Sequence, residues 1–155
     1  MLGPSKLRAP RGKWFEELSR HHEMERKKGD LLKYVMVGVG GCLGSILRFW
    51  LGSYIGGRMG TRFPYGTFVI NVTGSFLIGL VFAFLTAKTD WSPNWRYLIP
   101  IGFIGGYTTF SSFEYETLRT IQDGQVGLGL LYVALSVFFG FVAVWGGVTT
   151  GRAML

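Results

Sequence analysis

The sequence predicts an all-α membrane protein with four transmembrane helices, the third of which is broken. Three observations lead to this fold class. Hydrophobic residues make up 48% of the 155 positions and aromatic residues 16%, a composition that is unusual for a soluble domain. Four long runs carry few or no charges, and each can cross roughly 30 Å of hydrocarbon. One of these runs contains two glycines and a cluster of hydroxyl residues where a membrane helix is normally apolar.

We predict one span in each of these runs, at about residues 31–57, 63–87, 97–118 and 124–151. The connections between them are short and polar, and residues 88–96 combine turn residues with two tryptophans of the kind found at membrane interfaces. Together the spans form a membrane domain over residues 31–152. The sequence shows no pairing of nucleophile and base, no metal cluster and no phosphate-binding loop, so we do not expect an enzyme.

Residues 1–30 form a polar, basic extension, and the segment up to Lys33 has nine basic and five acidic residues, which is +4 of the net charge of +7. Acidic residues are interleaved with the basic ones and no recognition motif accompanies them, so we do not expect nucleic-acid binding. Trp14, Phe15, Leu18 and His22 can share one face of a helix. Two interpretations stay open, namely a short helix lying on anionic lipid headgroups and a disordered tail.

The remaining basic residues give no clear orientation in the membrane. With four spans they divide equally, Arg58, Arg62 and Arg119 on one side and Lys88, Arg96 and Arg152 on the other. Such balance is expected of a protein that inserts in both orientations, whereas the basic extension favours an amino terminus inside the cell. These two signals conflict.

The third run contains the most informative stretch, residues 105–113. Here Gly105 and Gly106 precede four hydroxyl residues. Non-helical backbone is tolerated at membrane depth only where it is buried in protein or lines a wet cavity. We therefore predict a helix break whose freed carbonyls and amides can bind ions. Phe110 and Phe113 follow it and project from one side of the restarted helix, where electropositive ring edges can stabilise a small anion, although this spacing is also typical of ordinary packing.

Polar side chains are sparse inside the other runs. Arg48 lies two-thirds along the first run, where an uncompensated guanidinium is costly, so it faces a vestibule, an anion or a partner unless it snorkels to the interface. On the second run Asn71 has Thr67 one turn before it and Ser75 one turn after it, which makes a polar stripe. Such residues either bind a substrate or form ordinary hydrogen bonds between helices.

The fourth run repeats that stripe, with Tyr132 and Ser136 four residues apart and Gly140 continuing the spacing without a side-chain donor. Late in the third run Glu116 either faces a vestibule or is solvated at the helix end. Taken together, the polar residues of the four runs offer hydrogen-bond donors and an arginine. They include no carboxylate at the membrane centre that could bind a cation. A donor-rich lining favours anions.

Small residues recur four apart within the runs, which predicts close helix packing. The pairs are Gly40 and Gly44, Gly52 and Gly56, Ser75 and Gly79, Gly102 and Gly106, and Gly147 and Gly151. Because four helices of this size enclose little interior, a path for a substrate is more simply formed between subunits. We therefore predict an oligomer.

Three stretches together resemble the Fluc (CrcB-type) fluoride channels, and they occur in the order of that family. They are residues 38–49 (GVGGCLGSILRF), 66–76 (GTFVINVTGSF) and 102–113 (GFIGGYTTFSSF). The resemblance covers about residues 32–151. It implies a passive fluoride channel in the cell membrane that assembles as an antiparallel dual-topology homodimer, with two fluoride paths between the subunits and a structural sodium ion on the dimer axis.

The resemblance also implies roles for particular residues. Carbonyls of Gly105 and Thr108 bind sodium, Phe110 and Phe113 form a phenylalanine box, and Asn71 donates to fluoride. Further pathway positions match as well, namely Arg48, Thr67, Glu116, Tyr132 and Ser136. Gly140 departs from the family, which often has another hydroxyl there, and the basic extension is longer than usual. That extension suggests an alternative assembly in which the chain requires an oppositely oriented partner subunit.

The sequence leaves two other functions open. A small four-helix multidrug exporter shares the size and the pairing, but it needs a protonatable carboxylate in its substrate path, and the first span has neither Asp nor Glu. A membrane accessory subunit without transport activity would use the break and the polar stripes only for packing.

Overall fold

The computed structural model describes residues 13–60, 62–87, 92 and 94–155, and the secondary structure of these residues is helical. This confirms the all-α prediction for the described part of the chain. The helices are α1 (Lys13–Met59), α2 (Tyr65–Ala87), α3, which joins the π-helical segment Tyr97–Ile104 to the turn Gly105–Tyr107, α4 (Phe110–Gln122) and α5 (Val126–Ala153).

Within the described residues, three helices are long and apolar enough to cross a membrane, namely Trp14–Met59, Tyr65–Ala87 and Val126–Ala153. The residues of the third predicted span form α3 and α4 in succession. Neither of these two helices is long enough to cross roughly 30 Å alone. Antiparallel pairing of two chains stays a prediction.

The chain divides into two units, the first ending at Leu32 and the second comprising Lys33–Leu155. In the first unit the side chains of residues 14–32 are exposed. Lys27 Nζ lies 3.0 Å from Glu23 Oε1, and this hydrogen bond lowers the pKa of the Glu23 carboxyl. Residues 1–12 lie outside the described range. The predicted contact of this extension with lipid headgroups stays a prediction.

Helices of the second unit approach one another most closely at glycines, as the small-residue spacing predicts. A Cβ atom on Gly44 of α1 would collide with the Phe103 carbonyl and lie 2.8 Å from the Tyr107 amide nitrogen of α3. On α5, a Cβ on Gly147 would collide with the Phe76 carbonyl of α2. These contacts pack α1 on α3 and α5 on α2. The predicted pair that includes Gly56 is different, because a Cβ there would meet no described atom within 4 Å.

We expect Gly44→Ala to lower the free energy of unfolding by about 1–3 kcal/mol, because the added methyl group must push the α3 backbone away from α1. Gly38→Ala on the same helix is the matched control, since a Cβ at Gly38 meets nothing within 4 Å. Denaturant titration of the purified protein measures both. Equal stability of the two variants would contradict this account of α1–α3 packing.

The break in the third span lies at Thr108 and Thr109. Thr108 has φ −80° and ψ 158°, and Thr109 has φ −149° and ψ 121°, so both are extended, as β-branched residues favour. The break is therefore confirmed, but it begins after the Gly-Gly pair. Gly105 is still helical, and Gly106 instead allows close packing, because a Cβ there would lie 2.6 Å from the Gly41 carbonyl oxygen.

The π-helical segment before the break is a feature that the sequence analysis did not predict. The Gly105 amide donates to the carbonyl of Pro100, five residues earlier. Pro100 has no amide hydrogen, so the regular α-helical ladder loses a donor within this segment. Segments of this kind are frequent at functional sites.

Candidate functional site

Asn71 of α2 binds the interrupted backbone through both ends of its side-chain amide. Its Oδ1 accepts from the Thr109 amide at 2.9 Å, and its Nδ2 donates to the Thr109 carbonyl at 2.9 Å. This pair of hydrogen bonds imitates the pairing of an extended strand, so it satisfies the two backbone groups that leave the helix. One proton of the Nδ2 amide remains for another acceptor.

The break removes the helical donors from two backbone carbonyls. In an unbroken helix the Thr109 amide would donate to Gly105, but it donates to Asn71 instead. In the same way the Ser112 amide, which would donate to Thr108, donates to the Thr109 hydroxyl at 3.3 Å. Gly105 and Thr108 are the two residues that the resemblance assigns to sodium. Each therefore has a carbonyl oxygen without its ordinary helical partner.

Arg48 of α1 contacts the carbonyl between these two positions. Its Nε donates to the Gly106 oxygen at 3.0 Å, and Ser45 Oγ donates to the same oxygen at 3.4 Å. The guanidinium thus stabilises the carboxyl end of α3, where the helix dipole is negative. The family resemblance assigns Arg48 to the fluoride pathway, whereas Ser45 was not predicted as a site residue. The sequence signal for Ser45 is its position three residues before Arg48, which places both side chains on one face of α1.

A cleft of about 340 Å³, here called the first cleft, opens at the break. Its polar lining consists of amide, hydroxyl and backbone groups, and none of its lining residues carries a formal charge. They are Asn71, Gly74, Ser75, Ile78, Ile104, Thr108, Thr109, Phe110, Phe113, Ser136 and Val137. The first cleft therefore brings together four of the predicted pathway residues, Asn71, Phe110, Phe113 and Ser136, with the predicted sodium ligand Thr108.

The two phenylalanines sit side by side on α4, with ring centroids 5.8 Å apart. Phe110 is 71% exposed, whereas the Phe113 ring also packs on Tyr132, at a centroid distance of 5.1 Å. Tyr132 is fully buried and does not line the first cleft. Of the two predicted hydroxyl residues on α5, Tyr132 is therefore buried away from the first cleft, whereas Ser136 lines it.

Glu116 lies one turn beyond Phe113 and holds two hydroxyl groups. Thr67 Oγ1 donates to Glu116 Oε1 at 2.8 Å, and Tyr132 Oη donates to Oε2 at 3.1 Å. These three residues come from α4, α2 and α5, so the carboxylate ties three helices together. All three were predicted as pathway residues, but nothing in the spacing of the sequence indicated that they contact one another.

A second cleft of about 600 Å³ includes Thr67 and Glu116 in its lining. Charged residues make it more polar than the first cleft, namely Arg62, Arg119 and Asp123. Along α2 one turn separates Thr67 from Asn71 of the first cleft, and along α4 one turn separates Glu116 from Phe113. The hydrogen-bonded carboxylate therefore lines the charged cleft, one turn of α4 from the uncharged one.

The chain is similar to channels from several bacteria. It is 55% identical over 124 residues to a protein of Acidobacterium capsulatum named Fluoride-specific ion channel FluC. The matched region is 80% of this chain and 99% of that relative. Proteins with the same name in Solibacter usitatus and Rhizobium meliloti are 46% and 43% identical, each over 78% of this chain and over 99% and 97% of their own length. Residues 35–148 match the sequence model of the family described as CrcB-like protein, Camphor Resistance (CrcB). With both the family model and these relatives matching most of its length, the chain belongs to the CrcB family.

Proposed function

We propose that this chain is a passive, fluoride-selective channel of the cell membrane. The observation that carries the proposal is the first cleft, in which hydrogen-bond donors and two phenylalanines line an uncharged space at a helix break. The relatives named as fluoride-specific ion channels support the same function. Their names are those of channels, which agrees with the expectation that the protein is not an enzyme.

The proposed assembly is an antiparallel homodimer with two fluoride paths between its subunits. In a single chain the Phe110 ring is 71% exposed and Gly105 is exposed as well. Both residues thus remain accessible to a partner subunit. The equal division of basic residues between the two sides of the membrane supports insertion in both orientations.

Sodium is the proposed structural ion, bound by the carbonyl oxygens of Gly105 and Thr108. The donor set fits this cation, because hard cations prefer oxygen ligands, and both carbonyls lack their ordinary helical donors. When bound, the ion would supply fixed positive charge beside the pathway. Asn71 supports the site indirectly, since its bond to the Thr109 amide is what frees the Gly105 carbonyl.

Selectivity in this proposal comes from size and donor geometry. Fluoride is small and strongly hydrated, so its path must replace water with short hydrogen bonds, as the remaining Asn71 proton and the Ser136 hydroxyl can do. The rings of Phe110 and Phe113 turn electropositive edges to an anion and exclude water. A larger halide fits less well and forms longer bonds. Glu116, bonded to Thr67 and Tyr132, lies one turn further along the same helix.

Efflux from liposomes tests this function. Vesicles containing the purified protein and loaded with fluoride are expected to release it, as recorded by a fluoride electrode, and matched vesicles loaded with chloride are expected to retain their anion. Equal release of the two halides would contradict selectivity. Absence of any release would favour an accessory subunit, and release that requires a proton gradient would favour an exporter.

A further inference from the structure

The hydroxyl stripe on α5 ends one turn early in this chain. Tyr132 and Ser136 are four residues apart, so the next position on the same face of the helix is residue 140. That residue is Gly140, which has no side chain to donate a hydrogen bond. A side-chain hydroxyl beside position 140 can therefore come only from a neighbouring helix.

Ser75 of α2 occupies the space beside Gly140. A Cβ atom built on Gly140 would lie 3.7 Å from Ser75 Oγ, which is ordinary van der Waals contact. Ser75 lines the first cleft together with Ser136 of α5 and Asn71, which lies one turn before it on α2. The Ser75 hydroxyl therefore lies against α5 at position 140, with room there for one more carbon atom.

The bonding of the Ser75 hydroxyl differs from that of its neighbours. Thr73 and Thr86 on α2 donate to the carbonyls four residues earlier, at 2.7 and 2.8 Å. Across the part of the chain that the structure describes, Ser75 and Ser136 make no such bond or any other. The Ser136 oxygen is also buried. Because an unbonded hydroxyl at membrane depth is costly, two of them on residues that line one cleft point to a ligand that accepts hydrogen bonds.

We propose that Ser75 is a further pathway residue, which donates to fluoride in place of the hydroxyl that α5 lacks at Gly140. In this proposal successive hydrogen-bond donors along the path lie on two helices, with Ser136 on α5 and Ser75 on α2, beside the phenylalanines. This inference rests on the proposed function, because it assigns a donor to the same path.

A rescue experiment tests the role of Ser75 in the full-length protein, with fluoride efflux from liposomes as the readout. Ser75→Ala is expected to reduce efflux about tenfold, a barrier change of about 1.4 kcal/mol. The double variant Ser75→Ala with Gly140→Ser is expected to recover to within about threefold of the wild type, because it returns a hydroxyl to the same space from α5. Thr86→Val is the matched control, since its hydroxyl is bonded to the backbone, and its efflux should not change.

Two results would overturn the proposal, namely wild-type efflux in Ser75→Ala, or a double variant as slow as Ser75→Ala. A purely structural role for Ser75 predicts that second result. If the alanine variant does not assemble, Ser75→Cys has nearly the same shape with a much weaker donor, and it must also slow efflux. A wild-type protein that released no fluoride would overturn both proposals, whereas a conducting wild type with an unaffected Ser75→Ala would overturn only this one.

Discussion

Replacement of Phe110 by isoleucine is expected to reduce fluoride efflux about tenfold or more while the protein still assembles. Isoleucine keeps the apolar character of the side chain but has no ring edge to stabilise an anion. A tenfold effect corresponds to about 1.4 kcal/mol on the barrier, near the upper end of what one aromatic contact provides. Because Phe110 is 71% exposed in the single chain, little packing within the chain is lost.

The matched control for this variant is Phe141→Ile. Phe141 is equally exposed, at 75%, but it lies on α5 outside the first cleft, so its replacement should leave efflux unchanged. Gel filtration of both variants checks that the oligomer forms. Wild-type efflux in Phe110→Ile, with a normal elution volume, would remove this ring from the path.

The second large effect is expected for Asn71→Ala, which removes both bonds to the extended backbone. The Thr109 amide and carbonyl then lose their partners, at a cost of about 1–3 kcal/mol for each buried group left unsatisfied. We expect efflux to fall more than about tenfold, because the proposed donor to fluoride is lost and the Gly105 carbonyl is no longer held free of the Thr109 amide. The proposed dimer is expected to persist, since Asn71 bonds to its own chain and the glycine contacts that hold the helices of each chain together are unaffected.

Efflux and thermal stability measured together identify what Asn71 contributes. Asn71→Asp is the informative companion, because an ionised carboxylate keeps an acceptor for the Thr109 amide but loses the donor to the Thr109 carbonyl and adds a negative charge, so efflux and stability should fall together. A normal rate of fluoride efflux in Asn71→Ala, combined with lower stability, would mean that Asn71 only holds the Thr109 backbone and does not donate to fluoride. A normal rate with unchanged stability would contradict both roles.

Much of the fold could be predicted because hydrophobicity is a local property. The second and fourth runs, at 63–87 and 124–151, differ by at most two residues at either end from α2 and α5. The start of the first helix could not be predicted from its apolar run. Charged residues with helical propensity precede that run, and with them α1 begins at Lys13. The glycine spacing predicted close packing, but not which helices would meet.

The break illustrates the limit of reasoning from composition. Gly105 and Gly106 drew attention to the third span because glycine weakens helices. In the folded chain, however, those glycines remain helical and the extended residues are Thr108 and Thr109. The conformational preference of the single residues did not decide where the helix breaks. The break lies at Thr109 because Asn71, from a distant part of the sequence, supplies the two hydrogen bonds that the extended Thr109 backbone needs.

The sequence by itself determined the helical class, the apolar runs, the presence of a break and the residue types of the site, since each depends on neighbours along the chain. Only the tertiary structure decided that Arg48 bonds the Gly106 carbonyl, that Glu116 joins Thr67 to Tyr132, and that Ser75 lies beside Gly140. The reason is physical. A polar group is satisfied by whichever partner packing brings within about 3 Å, and for Arg48, Glu116 and Asn71 that partner lies outside the residue's own helix.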